Sequence, residues 1–349
     1  MEFIDKYIIS QIDFGTLAIL FCLMGVVAGF NKLGYLDLLS NKLVKIAGSF
    51  KVLQGTLVFV CFFISMFVTN DVALIIIVPF TIQITAKLVK KEALIKIIVL
   101  ETIAANMGSM VTPIGNPQNL YLYQYYDLNL SVFAKIIMPY AILSAVLLLV
   151  IIMIDKTKVE IVGIEENYNR TVREKKIDKV VKTLIYTILF VLSILTVLDV
   201  VNYLVCFGAV VLCMLIFDRS LFKEINYSLL IKFIVLFLIV GNLAEISWIS
   251  GKLEKIVVGN EFMVSVLLSQ CLSNVPTAIM LSKFTANGTE LMLGVDVAGL
   301  GTLIASMASM ISYDFYAKTN DADKKRYVLS FTGYNIIFLI AMLILKLVI

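Results

Sequence analysis

SMFVTNDVALIIIVPFT (65–81) and SQCLSNVPTAIMLSKFT (269–285), written one above the other without a gap, share Ser65/Ser269, Thr69/Ser273, Asn70/Asn274, Ile75/Ile279, Phe80/Phe284 and Thr81/Thr285. A second echo follows each stretch: GSMVTPIGNPQN (108–119) stands against GTLIASMASMIS (301–312), both interrupting an apolar run with small and polar residues. An internal repeat sets the architecture and is read first. Around Ser273-Asn274-Val275-Pro276 the apolar arms are about 11 and 10 residues, which as helix reach about 16 Å. Neither arm crosses about 30 Å of hydrocarbon. Such a segment enters halfway and returns, which is tolerated only where protein or water covers the backbone at the turn. The arms around Thr69-Asn70-Asp71, about 17 and 15 residues, leave the choice open by length, and the repeat decides for the same hairpin.

The rest of the chain is the right material for a bilayer. Of 349 residues 60% are hydrophobic and 15% charged, and the mean hydropathy is +0.98; a soluble domain carries roughly 45–50% apolar and 25% charged residues. Apolar spans are expected at 14–30, 97–123, 132–154, 183–199, 201–217, 233–248, 291–313 and 327–348, with hairpins at 52–86 and 262–286. The expected fold is all-α: a polytopic membrane protein with inverted structural repeats, two re-entrant hairpins and two broken transmembrane helices. Residues 1–154 form the first repeat, 155–182 a cytoplasmic linker and 183–349 the second repeat; the pair 183–199 and 201–217 has no counterpart before residue 14. The first 13 residues lack the pattern of a signal peptide.

Loops 31–51, 87–96, 155–182, 218–232 and 314–326 hold 23 of the 29 Lys and Arg residues. Taken as cytoplasmic, they put the N-terminus outside and make the hairpins enter from opposite sides. Oppositely pointed broken elements meeting at the midplane are the plan of many secondary transporters. The net charge of +4 is sorted between the two faces and offers no footprint for nucleic acid. The absence of His excludes His-ligated metals and His-based triads, and no acid and base pair shares one depth, so an enzyme is not expected. The five cysteines form no CxxC pair and read as packing residues.

Thr69, Asn70 and Asp71 at one tip and Ser273 and Asn274 at the other offer oxygens and amides beside free backbone groups, with Ser65 and Ser269 one turn upstream. They either bind ions or cap the hairpin arms. The span 97–123, about 40 Å long as one helix, contains Gly108, Pro113, Gly115 and Pro117. It is expected to unwind there, exposing Thr112, Asn116, Gln118 and Asn119; a proline kink is the plainer alternative. Gly301, Thr302, Ser306, Ser309 and Ser312 play the quieter part in the second repeat. Asp71 is the carboxylate expected near the membrane centre, as a Na⁺ ligand, a proton carrier or a helix cap. Glu101, Glu245, Asp296 and Lys283 are expected nearer the interfaces, and YLYQYY (121–126) in an outer tyrosine belt.

TNDVALIIIVPFT, TPIGNPQNLYLY and SNVPTAIML together resemble the ion transporter superfamily, in particular the divalent anion:sodium symporter group with its citrate-permease-like and arsenite-permease-like relatives. The likeness runs from about residue 14 to the end. It implies substrate contacts at Thr69, Asn70, Asp71, Ser273, Asn274, Asn116, Pro117 and Asn119. It further implies cation contacts, possible Na⁺ ligands, at Ser65, Asn70, Asp71, Thr112, Gly115, Ser269, Asn274, Ser306, Ala308 and Ser309. A homodimer that moves one domain against a fixed scaffold is also implied. Asp71 and Val275 stand where the family's tips carry hydroxyls, and the Asn-Asp tip resembles the arsenite-permease branch.

The expectation is therefore a secondary active transporter in the cytoplasmic membrane. It moves a small anion, a carboxylate or an inorganic oxyanion, by alternating access, coupled to Na⁺ or H⁺ and without another cofactor. Na⁺/H⁺ exchange through Asp71 and arsenite-type efflux are the alternatives.

Overall fold

A computed structural model of the chain describes residues 12–34, 49–85, 91–155, 176–198, 200–245, 247–319 and 322–349, and holds helices and turns with no strand among them. The helices are α1 (Phe14–Lys32), α2 (Phe50–Ile64), α3 (Asn70–Thr85), α4 (Lys91–Ser109), α5 (Pro117–Tyr125), α6 (Leu130–Ile154), α7 (Lys176–Val197) and α8 (Tyr203–Phe217). After a 3₁₀ turn (Arg219–Lys223) follow α9 (Tyr227–Glu245), α10 (Ser247–Val257), α11 (Glu261–Leu272), α12 (Asn274–Leu281), α13 (Gly288–Val297), α14 (Met307–Ala317) and α15 (Lys324–Val348).

Among the described residues each expected apolar span contains helix, and four helices are each long and apolar enough to cross a bilayer: Phe14–Lys32, Leu130–Ile154, Lys179–Val197 and Lys324–Val348. The run 97–123 begins earlier than expected, at Lys91, and is interrupted at 110–116; the run 291–313 is interrupted at 298–306. The short helix α10 occupies a stretch expected as loop. The N-terminal 11 residues and most of the linker 155–182 lie outside the described residues.

The chain divides into two compact units, Met1–Ser40 with Glu166–Ser250 and Asn41–Glu165 with Gly251–Ile349. These are not the sequence halves: each unit takes a piece from either half. In the first unit α1 packs against α7 and α8. The lack of a side chain at Gly29 admits the ring of Tyr186, and Lys32 Nζ meets Asp218 Oδ2 at 2.6 Å. Asp13 caps α1, accepting from Thr16 N at 2.9 Å.

In the second unit the centre is made by α4 and α13, buried from Ala93 to Ser109 except at Lys96 and from Leu291 to Val297. Each carries one glycine where a hairpin arm presses in. A Cβ on Gly108 would fall 2.1 Å from Phe62 O of α2, and one on Gly294 2.8 Å from Phe262 O of α11; small residues let helix backbones approach this closely. The second arms cross over: α3 packs on α14 and α12 packs on α5. Outside lie α6 and α15, whose Ile142, Leu149, Leu329 and Ile337 stay exposed, as suits helices that lipid covers.

Polar ties collect at two opposite ends of this unit. At one, Lys51 Nζ donates to Met153 O at 2.7 Å, Lys96 pairs with Asp155 at 2.9 Å and Arg326 with Glu92 at 2.8 Å. At the other, Thr285 Oγ1 donates to Glu261 Oε1 at 2.8 Å, Tyr126 OH donates to Thr285 O at 2.9 Å and Lys346 pairs with Glu290. The hairpin α2–α3 begins at the first end and α11–α12 begins and ends at the other.

Candidate functional site

The links between hairpin arms bring the two asparagines against the two interruptions. Asn70 opens α3, and its backbone N–H donates to Gly115 O at 3.0 Å; Asn274 opens α12, and its N–H donates to Ala305 O at 2.9 Å. In each case the asparagine's own Oδ1 accepts the next N–H, from Asp71 at 2.9 Å and from Val275 at 3.0 Å. A further pair of bonds matches. Thr112 Oγ1 donates to Met66 O, and Thr302 Oγ1 donates to Gln270 O at 3.1 Å. Both tips are buried, with Asn70 and Asn274 each 4% exposed.

The tips differ in strain. Ser273 sits at φ +77°, a conformation costing an L-residue about 1–3 kcal/mol; its carbonyl is held by Thr277 Oγ1 at 2.8 Å. Ser65 Oγ donates to Phe62 O at 2.9 Å, whereas Ser269 Oγ is buried without a partner.

The interruption at 110–116 depends on glycine, since a Cβ on Gly115 would fall 2.0 Å from Ser109 O. Asn116 then caps α5, accepting from Asn119 N at 2.9 Å, and Pro117 occupies the first helical position, where its missing N–H leaves nothing unpaired. The interruption at 298–306 is held by Gln270 of α11. Its Nε2 donates to Ala298 O and Leu300 O at 3.2 and 3.1 Å, and its Oε1 accepts from Thr302 N at 2.8 Å. These are the carbonyl of the residue capping α13 and, in the turn beyond it, a second carbonyl and an amide, groups that a broken helix leaves without partners.

Between the interruptions lie two side chains that the sequence did not single out for the site. Asn106 of α4 accepts at Oδ1 from Asn70 Nδ2 (3.1 Å) and Ser306 Oγ (3.0 Å), and its Nδ2 donates to Gly299 O (3.1 Å) and Ser309 Oγ (3.4 Å). Asp296 of α13 accepts at Oδ1 from Asn116 Nδ2 (3.2 Å) and Gln118 Nε2 (3.4 Å). Ser109 Oγ links the two, accepting from Asn116 Nδ2 (3.4 Å) and donating to Asn106 O (3.0 Å), so that of the anticipated residues Asn70, Asn116, Gln118, Ser306 and Ser309 join one connected set. Thr69, Asp71, Ser273 and Asn119 are buried beside it.

Some expectations need correction. Asp296 and Glu101, expected near the span ends, lie in the last turn of α13 beside its interruption and in the middle of α4, both buried; Glu101 Oε1 accepts from Thr81. Tyr121 and Tyr123 are buried rather than part of a belt, and Tyr121 OH lies 2.9 Å from Ser282 Oγ. The ungapped pairing of 108–119 with 301–312 puts Ala308 opposite Gly115. The hydrogen bonds put Ala305 there, three residues earlier, and the carbonyl of Ala308 accepts from Ser312 inside α14. The matching ThrProIle (112–114) and ThrLeuIle (302–304) were the signal for that register, which also sets Asn106 opposite Asp296.

Apolar helices dressed outward for lipid and a buried polar centre define a multi-pass membrane protein. The sequence signature described as citrate transporter matches residues 1–308. The chain belongs to the citrate transporter family, and it is a transport protein rather than an enzyme. It is similar to the uncharacterized transporter MJ0456 of Methanocaldococcus jannaschii, 31% identical over 304 residues, 86% of this chain and 80% of the relative. It is also similar to the inner membrane protein YbiR of Escherichia coli K12, 29% identical over 306 residues, 87% of this chain and 80% of the relative. A shorter likeness, 27% over 124 residues, links 35% of this chain to 15% of the P protein of Mus musculus.

Proposed function

We propose that the protein is a secondary active transporter that moves a small anion, a carboxylate or an inorganic oxyanion, through the cytoplasmic membrane, coupled to Na⁺ or H⁺. The observation that carries this reading is the pair of matched bonds from Asn70 N to Gly115 O and from Asn274 N to Ala305 O. An inverted repeat with re-entrant tips meeting two broken helices accounts for that match, and it is the arrangement in which helix ends hold ions at the midplane. Tip amides and the N-terminus of α5 at Asn116 and Pro117 receive the anion. Oxygens of Ser65, Thr112, Gly115, Ser269, Ser306 and Ser309, with Asp71, receive the coupling cation. The two groups of polar ties support opposite openings of the hairpins, with the basic cluster Lys51, Lys96 and Arg326 cytoplasmic. The unit holding the site moves and the other serves as scaffold, in a homodimer.

The test is uptake of radiolabelled citrate, the anion in the family's description, and of arsenite and phosphate, into proteoliposomes under a Na⁺ or pH gradient. Asn70→Ala and Asn274→Ala each abolish uptake in protein that still folds. Normal uptake by both variants removes this site. A vesicle dye that reports pH and responds to Na⁺ alone would instead favour cation exchange at Asp71.

A further inference from the structure

Asp296 and Glu101 are buried carboxylates to which the transport reading gives no task, and each keeps one oxygen without a partner; Asp296 is the one set against the interruption at 110–116, through Asn116. It lies in the last turn of α13, and its Oδ1 is occupied by the amides of Asn116 and Gln118, while its Oδ2 has no partner. The side chain of Asn119 lies against the same carboxylate; its Nδ2 is turned to Met110 O at 3.3 Å, and its Oδ1 is likewise buried and unpartnered. Buried acceptors left without a hydrogen bond are rare in folded proteins and call for a reason.

The matching residue supplies one. Asn106 occupies the equivalent place in the other half, and there the second side-chain group is a donor, Nδ2, bonded to Gly299 O and Ser309 Oγ. A carboxyl protonated on Oδ2 has the shape of that amide and restores the donor. A metal ion fits less well: it needs several free oxygens, and the N–H groups of Asn116 and Gln118 turned toward Oδ1 repel it.

We propose that Asp296 carries the coupling proton, a proposal that rests on the transport reading above. Binding forms one O–H bond at Oδ2 and takes the side chain from carboxylate to neutral carboxyl; release on the other side of the membrane restores the carboxylate. The elements packed on α13 are α4, α5, α6, α11 and α12. Their titratable groups are engaged elsewhere or stand away from the carboxylate. Glu101 is bonded to Thr81, Glu261 to Thr285, Lys96 to Asp155, Glu92 to Arg326 and Tyr121 to Ser282. Lys91, Lys135, Tyr123, Tyr125, Tyr140 and Cys271 complete the set. Among the described residues the groups acting on Asp296 are the three amides of Asn116, Gln118 and Asn119.

Infrared spectroscopy of the full chain in lipid vesicles tests the assignment. The wild type shows a protonated-carboxyl band at neutral pH that Asp296→Asn removes and that Asp71→Asn and Glu101→Gln leave in place. Asp296→Glu, which keeps the acid should the amide variant fail to fold, moves the band. A band untouched by both changes at 296, or lost with Asp71 or Glu101 instead, overturns the proposal. In proteoliposomes, uptake of citrate driven by a pH gradient falls at least tenfold in Asp296→Asn. Uptake that follows a Na⁺ gradient alone and is unaffected at 296 overturns the proton assignment and leaves the transport reading standing. Failure of Asn70→Ala and Asn274→Ala to affect uptake removes the transport reading, whatever the band at 296 does.

Discussion

Ser306 Oγ donates to Asn106 Oδ1 at 3.0 Å, and exchanging the two halves of the chain turns that bond into the one from Asn116 Nδ2 to Asp296 Oδ1, 3.2 Å long. The N-cap of each second half-helix thus reaches the last turns of the other repeat's first half-helix. The site is a crossing point, and removing one member disturbs both interruptions.

Asn106→Ala deletes four hydrogen bonds, to Asn70, Ser306, Gly299 and Ser309. Each net bond contributes about 1 kcal/mol, and partial rearrangement of the freed groups leaves an expected loss of about 2 kcal/mol. Transport falls at least about tenfold because the tip amide loses its anchor. Melting curves and uptake by the same preparation check this; unchanged uptake would show that Asn106 is packing only.

Gly115→Ala drives a methyl group into Ser109 O, 2.0 Å away, whereas a Cβ on Gly208 of α8 meets nothing within 4 Å. The first change costs about 3 kcal/mol or more, and the second is neutral or slightly stabilising. Yield and melting temperature of the two variants in detergent decide it, and equal behaviour would mean the turn can open.

Gln270→Ala leaves Ala298 O, Leu300 O and Thr302 N–H without their side-chain partner. With the carbonyls of buried Ala298 and Leu300 unpaired, while water can reach Thr302 N–H, the loss is about 2 kcal/mol. Hydrogen exchange rises first at 298–306, and uniform exchange across the chain would argue against a local role.

At Asp218 burial raises the carboxyl, but the Lys32 ammonium and the Ser220 hydroxyl and amide outweigh it, so the group titrates below its ordinary value. A depressed folded value contributes stability above the unfolded pKa, and that contribution fades as pH falls through the folded one. Since Lys32 is 42% exposed, solvent screening limits the pair to about 1 kcal/mol or less. Asp218→Asn therefore melts lower than wild type at neutral pH and equally in strong acid. A difference that persists in acid would assign the loss to packing.

Most of the helical plan was legible in the chain. The run lengths gave the spans, and a polar tip inside short apolar arms gave Ser273 and Asn274 as the first residues of a second arm. Gly115 and Pro117 announced the first interruption because their backbone restrictions act locally. The second was harder to read, since Gly301, Thr302 and Ser306 carry no proline and Gln270, which holds that interruption, lies on another element. Asp296 read as a polar residue near a span end and Asn106 drew no reading at all, because nothing local says which helix will cover them.

Periodicity, breakers and run length are properties of neighbouring residues, so the sequence alone determined an all-helical membrane protein, the turns ahead of α3 and α12 and the interruption at 110–116. The partner of each tip carbonyl and amide is a long-range matter. Only the tertiary structure decided that Ala305 rather than Ala308 answers Gly115, and that Asp296 answers Asn106, because register between packed helices is set by side-chain contacts made across the fold.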